Sequence, residues 1–257
     1  MIHYRDKGYT LEGVRLEASS PAFRAGAGFL ETLYHNGREL CHLDLHLDRL
    51  LHALRAYGVR YETVDFAEVA EQLLNRNGLT GQPAAVTIAY PVDGDRATPV
   101  IAAEPYEPKP YKAYRLCICD DRHVSTLSGC KTTNAMFHHL ALTRARARGF
   151  DDAALFDLGD NLLEATSGAL VLKKEGHFVC VDSPYRLPSI ALKLAREVLD
   201  IMPVRLPLKE LDSFRHAYLL NSLIGMRPVV AIGETAFVPD DDACQRVMSL
   251  VLDPSGR

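Results

Sequence analysis

The sequence predicts a mixed α/β protein of two domains, and three observations support this prediction. Segments with strand-like apolar composition are interspersed with segments whose apolar residues recur at helical spacing. The 257 residues suffice for two modest domains or one large one, with a substantial buried core. Residues 104–114 are rich in proline, which restricts its own backbone and that of the preceding residue, so this stretch should be extended and stiff. We interpret it as a linker between two domains.

Before the linker, the sequence mixes both kinds of element. In chain order, the predicted elements are a strand at 29–34, helices at 43–57 and 64–75, and a strand at 84–90. Asn36-Gly37 is typical of a turn between hairpin strands. Residues 92–99 are polar and contain the turn-forming pair Asp93-Gly94, so we expect a loop there.

After the linker, most of the predicted elements are strands. In chain order, they are a strand at 114–119, a helix at 133–148, a strand at 153–156, a hairpin of strands 168–172 and 177–181, a helix at 188–199, and strands at 217–220 and 229–232. Gly149 suits the position just past a helix C-terminus. Turns are expected at 159–161 and at 174–176, and Pro188 suits the first turn of its helix.

Composition and charge exclude several classes of protein. Hydrophobic residues make up 47% and charged residues 24%, which argues against disorder. The net charge of −4, without blocks of like charge, gives no sign of a nucleic-acid surface. The first residues lack the apolar core of a signal peptide, and no apolar run is long enough to span a bilayer, so we expect a cytoplasmic protein. The six cysteines form no C-x-x-C pair or metal-site spacing, which favours buried free thiols in a reducing compartment.

Lys131 differs from the other lysines in its position. It lies in SGCKTTNAMFHHLA, between a strand-like segment and a helix with periodic apolar residues. A lysine that forms a Schiff base must be desolvated enough for its pKa to fall, so that the neutral amine can attack an aldehyde. The position suits that chemistry, but by itself it does not distinguish a catalytic lysine from an ordinary one.

Four segments, in order, resemble the class IV aminotransferase family, the fold-type IV pyridoxal-phosphate (PLP) enzymes, over roughly residues 20–233. They are AGAGFLETLYHNGRELCHLDLHLDRL, CKTTNAMFHHLALTRARARGFDDAALFD, GDNLLEATSGALVLKKEGHFVCVDSP, and RLPSIALKLAREV with HAYLLNSLIGMRPVVAIGE. They are similar to the family's G-x-G-x-F-E-T strand with its H-x-x-R-L helix, its K-T-x-N run, its G-x-x-x-E segment, and its L-P-G-I helix start with a later (S/T)-x-x-G-x-x-P-V turn. The family includes branched-chain and D-amino-acid aminotransferases and aminodeoxychorismate lyase.

The resemblance implies that PLP is held as a Schiff base on Lys131, and it assigns two charged partners to the cofactor. Arg49 matches the family's phosphate-binding arginine, whose planar fork of donors suits phosphate oxygens. Glu164 matches the family's carboxylate that faces the pyridine nitrogen. A carboxylate there keeps the nitrogen protonated, so that the ring can accept electrons from the substrate.

The remaining phosphate contacts implied by the resemblance are neutral. Ile190 and Ala191 would present backbone amides at a helix N-terminus, where the unpaired N–H groups and the helix dipole favour an anion. Ser222 and the Leu223 amide would complete the phosphate site. No metal is implied.

The resemblance also implies a two-domain α/β fold like that of D-amino-acid aminotransferase. The smaller domain would comprise residues 1–107, and the larger domain, residues 108–257, would carry Lys131 and Glu164. The cofactor would lie at the interface between the domains. Family members are usually homodimers in which the partner chain helps to close the site.

Three functions follow from the resemblance. The first is a PLP-dependent transaminase that acts on the amino group of a small amino acid. The second is aminodeoxychorismate lyase, an elimination giving para-aminobenzoate and pyruvate. The short chain and the FLETL strand favour the lyase, whereas the loop after Tyr90 lacks the Arg- and Gly-rich run expected of it. Arg96 in this loop either contacts the substrate carboxylate or is a solvated loop-tip arginine, and Arg227 is a second candidate for that contact.

The third function is that of a PLP-binding relative without activity. Two departures from the family pattern suggest it: Ala135 replaces a frequent aromatic residue, and Ala169 replaces the usual Asn. The retention of Lys131, Glu164 and Arg49 argues against it.

Overall fold

A computed structural model describes residues 1–13 and 15–256 of the chain. Contacts divide the chain into two compact units. The first comprises Met1–Pro108 and Cys130–Ala135, and the second comprises Lys109–Gly129 and Met136–Arg257. The first division, after Pro108, falls inside the proline-rich stretch. Each unit has its own β-sheet.

The first unit is built on a sheet that has seven strands within the described residues. The strands are β1 (His3–Arg5), β2 (Gly8–Thr10), β3 (Gly28–Asn36), β4 (Arg60–Tyr61), β5 (Pro83–Asp93), β6 (Arg96–Ala97) and β7 (Val100–Pro105). Their order is β2-β1-β7-β5-β6-β4, and β3 pairs with β5 in antiparallel fashion. The helices of this unit are α1 (Pro21–Ala25), α2 (Leu43–Ala56) and α3 (Phe66–Arg76).

The β3–β5 pair forms the centre of the first unit because alternate residues of each strand face the core. The fully buried side chains of one β5 face are Ala84, Val86, Ile88 and Tyr90. Apolar side chains of α2 and α3 belong to the same core. The predicted strands at 29–34 and 84–90 and the predicted helix at 43–57 are confirmed. The second predicted helix begins at Phe66, because the Asp65 side chain accepts a hydrogen bond from the Glu68 amide and caps it.

Two turn predictions need correction. The chain turns after Asn36 as expected, with Gly37 at a φ of 93°, but only an isolated bridge between His35 and Leu40 follows. The long partner of β3 is β5, because α2 starts too soon after the turn for a second strand to form. Residues 92–99 are a hairpin rather than a loop, since β6 pairs with the end of β5 around Gly94.

The segment that carries Lys131 pairs with the first unit. The Leu30 amide donates to the Lys131 carbonyl at 2.9 Å, and the Thr133 amide donates to the Gly28 carbonyl at 3.0 Å. A Cβ atom on Gly28 would lie 2.9 Å from Thr133 Oγ1, so glycine permits this close approach. Residues 130–135 therefore group with the first unit, although they fall within the range 108–257 predicted for the second domain. The predicted helix at 133–148 starts only at Met136, because Thr133 is held in this pairing.

The second unit is built on a sheet that has nine strands within the described residues. They are β8 (Tyr114–Ile118), β9 (Asp152–Phe156), β10 (Leu162–Ala165), β11 (Ala169–Lys174), β12 (His177–Val181), β13 (Ile201–Val204), β14 (His216–Asn221), β15 (Gly225–Ile232) and β16 (Thr235–Ala236). Their order is β10-β9-β8-β15-β14-β11-β12-β13, with β16 paired to β15. The helices of this unit are α4 (Met136–Ala147), α5 (Ile190–Ala195) and α6 (Asp241–Leu252), with 3-10 turns at Thr126–Gly129 and Leu208–Ser213.

All predicted strands of the second unit are confirmed, including the β11–β12 hairpin around Glu175 and Gly176. The predicted helix at 188–199 is wrong in length. Ser189 caps α5 by accepting from the Leu192 amide, and residues 196–199 form only turns and a bend. Four elements of this unit, β10, β13, β16 and α6, were not predicted from the sequence, although Asp240 caps α6 through the Ala243 amide.

The six cysteines are free thiols, and all but the half-buried Cys130 are buried. Within the described residues, no helix combines the length and the apolar character that crossing a membrane would require.

Candidate active site

A buried ionic cluster in the first unit contains the predicted phosphate-binding Arg49. Arg49 Nε donates to Glu31 Oε1 and Arg49 Nη2 donates to Glu31 Oε2, both at 2.6 Å. His46 Nδ1 lies 2.7 Å from Glu31 Oε2. Because a carboxylate only accepts hydrogen bonds, the His46 proton must be on Nδ1. Strand β3 thus supplies the acid, and successive turns of α2 supply both donors.

Burial and hydrogen bonding set the charges in this cluster. Burial acts to raise the pKa of Glu31, but the hydrogen bonds from His46 and Arg49 outweigh it, and the pKa of Glu31 is lowered overall. Burial lowers the pKa of His46 and outweighs the opposing attraction of Glu31. The cluster is therefore an ionised Glu31–Arg49 pair with a neutral His46 at physiological pH.

This cluster predicts acid sensitivity of the fold. The pKa of His46 is lower in the folded than in the unfolded state, so below the unfolded pKa of about 6.5 the unfolded chain binds more protons and stability falls as the pH falls. His46→Asn keeps a donor for Glu31 but does not titrate. We expect the melting temperature of this variant to fall less than that of the wild type between about pH 7 and pH 5.

The matched control is His52→Asn, which removes an exposed histidine from the same helix. Thermal unfolding across the pH series measures all three proteins. Equal pH dependence of the wild type and His46→Asn would contradict this interpretation.

Lys131 is one of two lysines that are half-buried, whereas the other six are exposed. The second half-buried lysine, Lys173, donates to Asp240 Oδ2 at 2.7 Å in an ion pair. Nucleophilic chemistry at Lys131 would need its amine in the neutral form. The strand pairing with β3 fixes the Lys131 backbone next to Glu31, the carboxylate that binds Arg49.

Glu164 lies on β10 in the second unit and is 8% exposed. Its closest described partners are distant: the Leu187 amide lies 3.3 to 3.4 Å from its oxygens, and His138 Nε2 lies 3.9 Å from Oε1. A buried carboxylate with such long contacts retains capacity to accept a stronger hydrogen bond. The contact to Leu187 also places Glu164 close to the start of α5.

The predicted neutral phosphate ligands lie at two turns of the second unit. Ile190 and Ala191 are the first residues of α5, and both are buried. Ser222 and Leu223 lie in the turn between β14 and β15. Asn221 Oδ1 accepts from the Leu223 and Ile224 amides, both at 3.0 Å, so the predicted Leu223 donor is already engaged within the turn.

A hydrogen-bond chain connects the Glu164 strand to this turn. Buried Asp152 accepts from Thr166 and from the Ser167 hydroxyl, just after β10. The Ser167 carbonyl in turn accepts from Asn221 Nδ2 at 3.0 Å. The second unit thus brings Glu164, the α5 start and the Ser222 turn into one connected region.

The two candidate substrate-binding arginines have different surroundings. Arg96 is exposed at the β5–β6 hairpin. Arg227 is 5% exposed, donates to Met248 Sδ at 2.8 Å, and stacks on the Tyr111 ring with its guanidinium carbon 4.8 Å from the ring centre. Its Nε atom has no hydrogen-bond partner within the described part of the chain. Arg227 therefore acts as a core residue of the second unit, whereas Arg96 can reach a ligand from solvent.

Sequence reasoning missed Glu31, His46 and Asn221 as members of these networks. Glu31 and His46 belong to the segments that resemble the family's F-E-T and H-x-x-R-L motifs. They are 15 residues apart in the sequence, and this spacing does not indicate that their side chains are in contact. Asn221 immediately precedes Ser222, and an Asn beside a tight turn is a known signal for side-chain hydrogen bonds to nearby amides.

Comparisons with known proteins agree with this architecture. The model of the amino-transferase class IV family matches residues 28–232. The branched-chain aminotransferase of Thermoproteus uzoniensis, solved with norvaline, has a TM-score of 0.87 at 18% identity, with 100% of this chain and 96% of that chain covered. No significant match was found among curated protein sequences.

Two further solved structures have the same fold. The T.th. branched-chain amino acid aminotransferase, complexed with N-(5'-phosphopyridoxyl)-L-glutamate, gives a TM-score of 0.85 at 16% identity, covering 99% of this chain and 95% of that chain. A protein of Legionella pneumophila assigned as 4-amino-4-deoxychorismate lyase gives 0.84 at 19% identity, covering 93% and 95%. These similarities confirm the predicted fold-type IV α/β fold. With the family match over most of its length, the chain belongs to the class IV aminotransferases, a PLP-dependent family.

Proposed function

We propose that this protein is a PLP-dependent aminotransferase acting on the amino group of a small amino acid. The observation that carries the proposal is that a class IV chain holds both a half-buried Lys131 and a buried Glu164 whose described polar contacts are long. Lys131 would hold PLP covalently, and the family resemblance supports a homodimer. Analytical ultracentrifugation tests the dimer.

The residues present fit this cofactor by their chemistry. Glu164 offers a buried carboxylate whose polar contacts to described residues are 3.3 Å or longer, which suits a protonated ring nitrogen. Arg49 offers a guanidinium, and Ser222 offers a hydroxyl in a turn held by Asn221. The amides of Ile190 and Ala191 lie at a helix start, where an anion is favoured.

Each residue has a defined task in this proposal. Bound PLP would supply an electron-withdrawing ring that eases removal of the proton from the substrate Cα. The Lys131 amine takes that proton and later returns one. Glu164 holds the proton on the ring nitrogen. Arg49, Ser222 and the nearby amides hold the phosphate, and Arg96 is the candidate partner of the substrate carboxylate.

The second candidate function is the aminodeoxychorismate lyase reaction. The FLETL strand and the similarity to the Legionella pneumophila protein favour it. The same Lys131 base would serve either reaction, because both begin with proton transfer at Cα. The two differ in whether the amino group is transferred or a leaving group is lost.

A donor screen with the purified holoenzyme tests the proposal. With a suitable amino acid, a transaminase converts its cofactor to the pyridoxamine form, which changes the absorbance spectrum and yields an oxo acid. A lyase instead forms pyruvate and para-aminobenzoate from aminodeoxychorismate. If those products form and no amine-form cofactor appears, the lyase proposal replaces the aminotransferase proposal. If neither reaction is observed, the protein is a PLP-binding relative without activity.

Replacing Arg49 should weaken cofactor binding. In the proposed complex, Arg49 and the cofactor phosphate form a buried charge pair. Because Arg49→Ala removes one partner of that pair, we expect PLP binding to weaken by roughly 2 to 5 kcal/mol. Equilibrium dialysis measures the dissociation constant. Arg55→Ala is the matched control, since Arg55 is an exposed arginine on the same helix. Equal PLP affinity of Arg49→Ala and the wild type would remove Arg49 from the phosphate site.

A further inference from the structure

We propose that Glu31, supported by His46, is a positioning residue that orients the Arg49 guanidinium toward the cofactor phosphate. The inference rests on the proposed function, because it requires Arg49 to bind that phosphate. Glu31 itself is 1% exposed and is not proposed to contact the cofactor.

The geometry of the cluster favours orientation. Both Glu31 oxygens bind the Nε and Nη2 edge of Arg49, each at 2.6 Å. A bidentate pair of this kind fixes the plane of the guanidinium as well as its position. The same pair also sets the direction of the other edge of the fork, which carries Nη1 and would face the phosphate in this proposal. The direction of that edge is set by β3, the strand that also pairs with the Lys131 segment.

His46 completes the support. Its Nδ1–H donates to Glu31 Oε2 at 2.7 Å, and its side chain is 2% exposed. Glu31 Oε2 is therefore bound by two donors and Oε1 by one, so the carboxylate is restrained from both sides. Buried polar networks whose members are all satisfied are rigid.

A positioning role and a purely electrostatic role of Glu31 predict opposite changes in the PLP affinity of Glu31→Gln. As a charge alone, Glu31 would cancel the charge of Arg49 and repel the phosphate dianion, so Glu31→Gln would bind PLP more tightly. As a positioning residue, Glu31 keeps the fork in place, so Glu31→Gln would bind PLP less tightly. The sign of the change in affinity therefore separates the two roles.

The experiment measures PLP and pyridoxal binding to wild type, Glu31→Gln, Arg49→Ala and the double variant. We expect Glu31→Gln to raise the PLP dissociation constant about tenfold to a hundredfold, as for loss of a charge-assisted hydrogen bond. Pyridoxal, which lacks the phosphate, should bind to both proteins with equal affinity. In the Arg49→Ala background, Glu31→Gln should have no further effect, because the group that it positions is gone.

A second pair of variants covers the case in which Glu31→Gln does not fold. His46→Asn keeps a donor near the position of Nδ1, whereas His46→Leu removes it. We expect His46→Leu to bind PLP more weakly than His46→Asn, with pyridoxal affinity the same for both.

Several results would overturn the inference. They are unchanged or tighter PLP binding by Glu31→Gln, an equal loss of pyridoxal affinity, additive effects in the double variant, or equal PLP binding by the two His46 variants. If Arg49→Ala binds PLP as the wild type does, the positioning role fails together with the Arg49 assignment. The aminotransferase proposal is judged separately, by the donor screen.

Discussion

Lys131→Ala should remain folded, lose covalent attachment of PLP, and lose turnover with every amino donor that the wild type accepts. Loss of proton transfer alone should lower the rate by about a hundredfold to ten-thousandfold. Loss of the amine nucleophile adds to that effect. The expected result follows from the burial of Lys131 and from the backbone pairing of its segment with β3.

Borohydride reduction of the wild-type holoenzyme, followed by peptide mapping, measures the attachment directly. The pyridoxyl group should be found on the peptide that contains Lys131. Lys193→Ala, which removes an exposed lysine from α5, is the matched control and should keep both label and activity. A label on Lys173, Lys174 or Lys193 would show that Lys131 is not the attachment site.

The elements best predicted from the sequence are those with local signals. Residues 84–90 alternate between faces of β5, and residues 43–57 have helical apolar spacing that α2 follows closely. The turn at Glu175-Gly176 was predictable because glycine there adopts a positive φ, 85°, at little cost. In these cases the residues that determine the element also lie within it.

The elements that were missed depend on distant partners. The Lys131 segment pairs with residues about one hundred positions earlier in the chain, and nothing near Thr133 indicates that this pairing delays the start of α4. The β10 strand is only four residues long and follows a turn, so its short apolar run could equally belong to a loop. Residues 162–165 form a strand because they pair with β9.

In the candidate site, too, some residues could be predicted from the sequence, whereas their distant partners could not. Arg49 and Glu164 were found through resemblance to a family, which identifies residues singly. Their partners, Glu31 and Leu187, are separated from them by 18 and 23 residues and are brought close only by the fold. Hydrogen-bond networks of this kind need three-dimensional coordinates, because sequence spacing does not constrain which side chains meet across two elements.

Glu164→Gln should bind PLP and still attach it to Lys131, but it should slow proton removal from the substrate Cα. The phosphate contacts are proposed to lie elsewhere, at Arg49 and Ser222, so affinity should change little. The amide keeps the shape of the side chain but cannot hold a proton on the ring nitrogen as a carboxylate does. Loss of one preorganised electrostatic partner in an active site typically costs about a hundredfold to a thousandfold in rate, and we expect a loss of that size.

A single-turnover measurement with the amino acid found in the donor screen tests this prediction, because it reports the chemical step without product release. Glu175→Gln, which changes an exposed glutamate at the β11–β12 turn, is the matched control and should react at the wild-type rate. The long contacts of Glu164 to Leu187 and His138 make the test informative, since the substitution disturbs no short hydrogen bond among the described residues and should leave the fold intact. Wild-type single-turnover rates in Glu164→Gln with PLP fully bound would mean that another group holds the ring nitrogen, and Glu164 would then be a structural residue of β10.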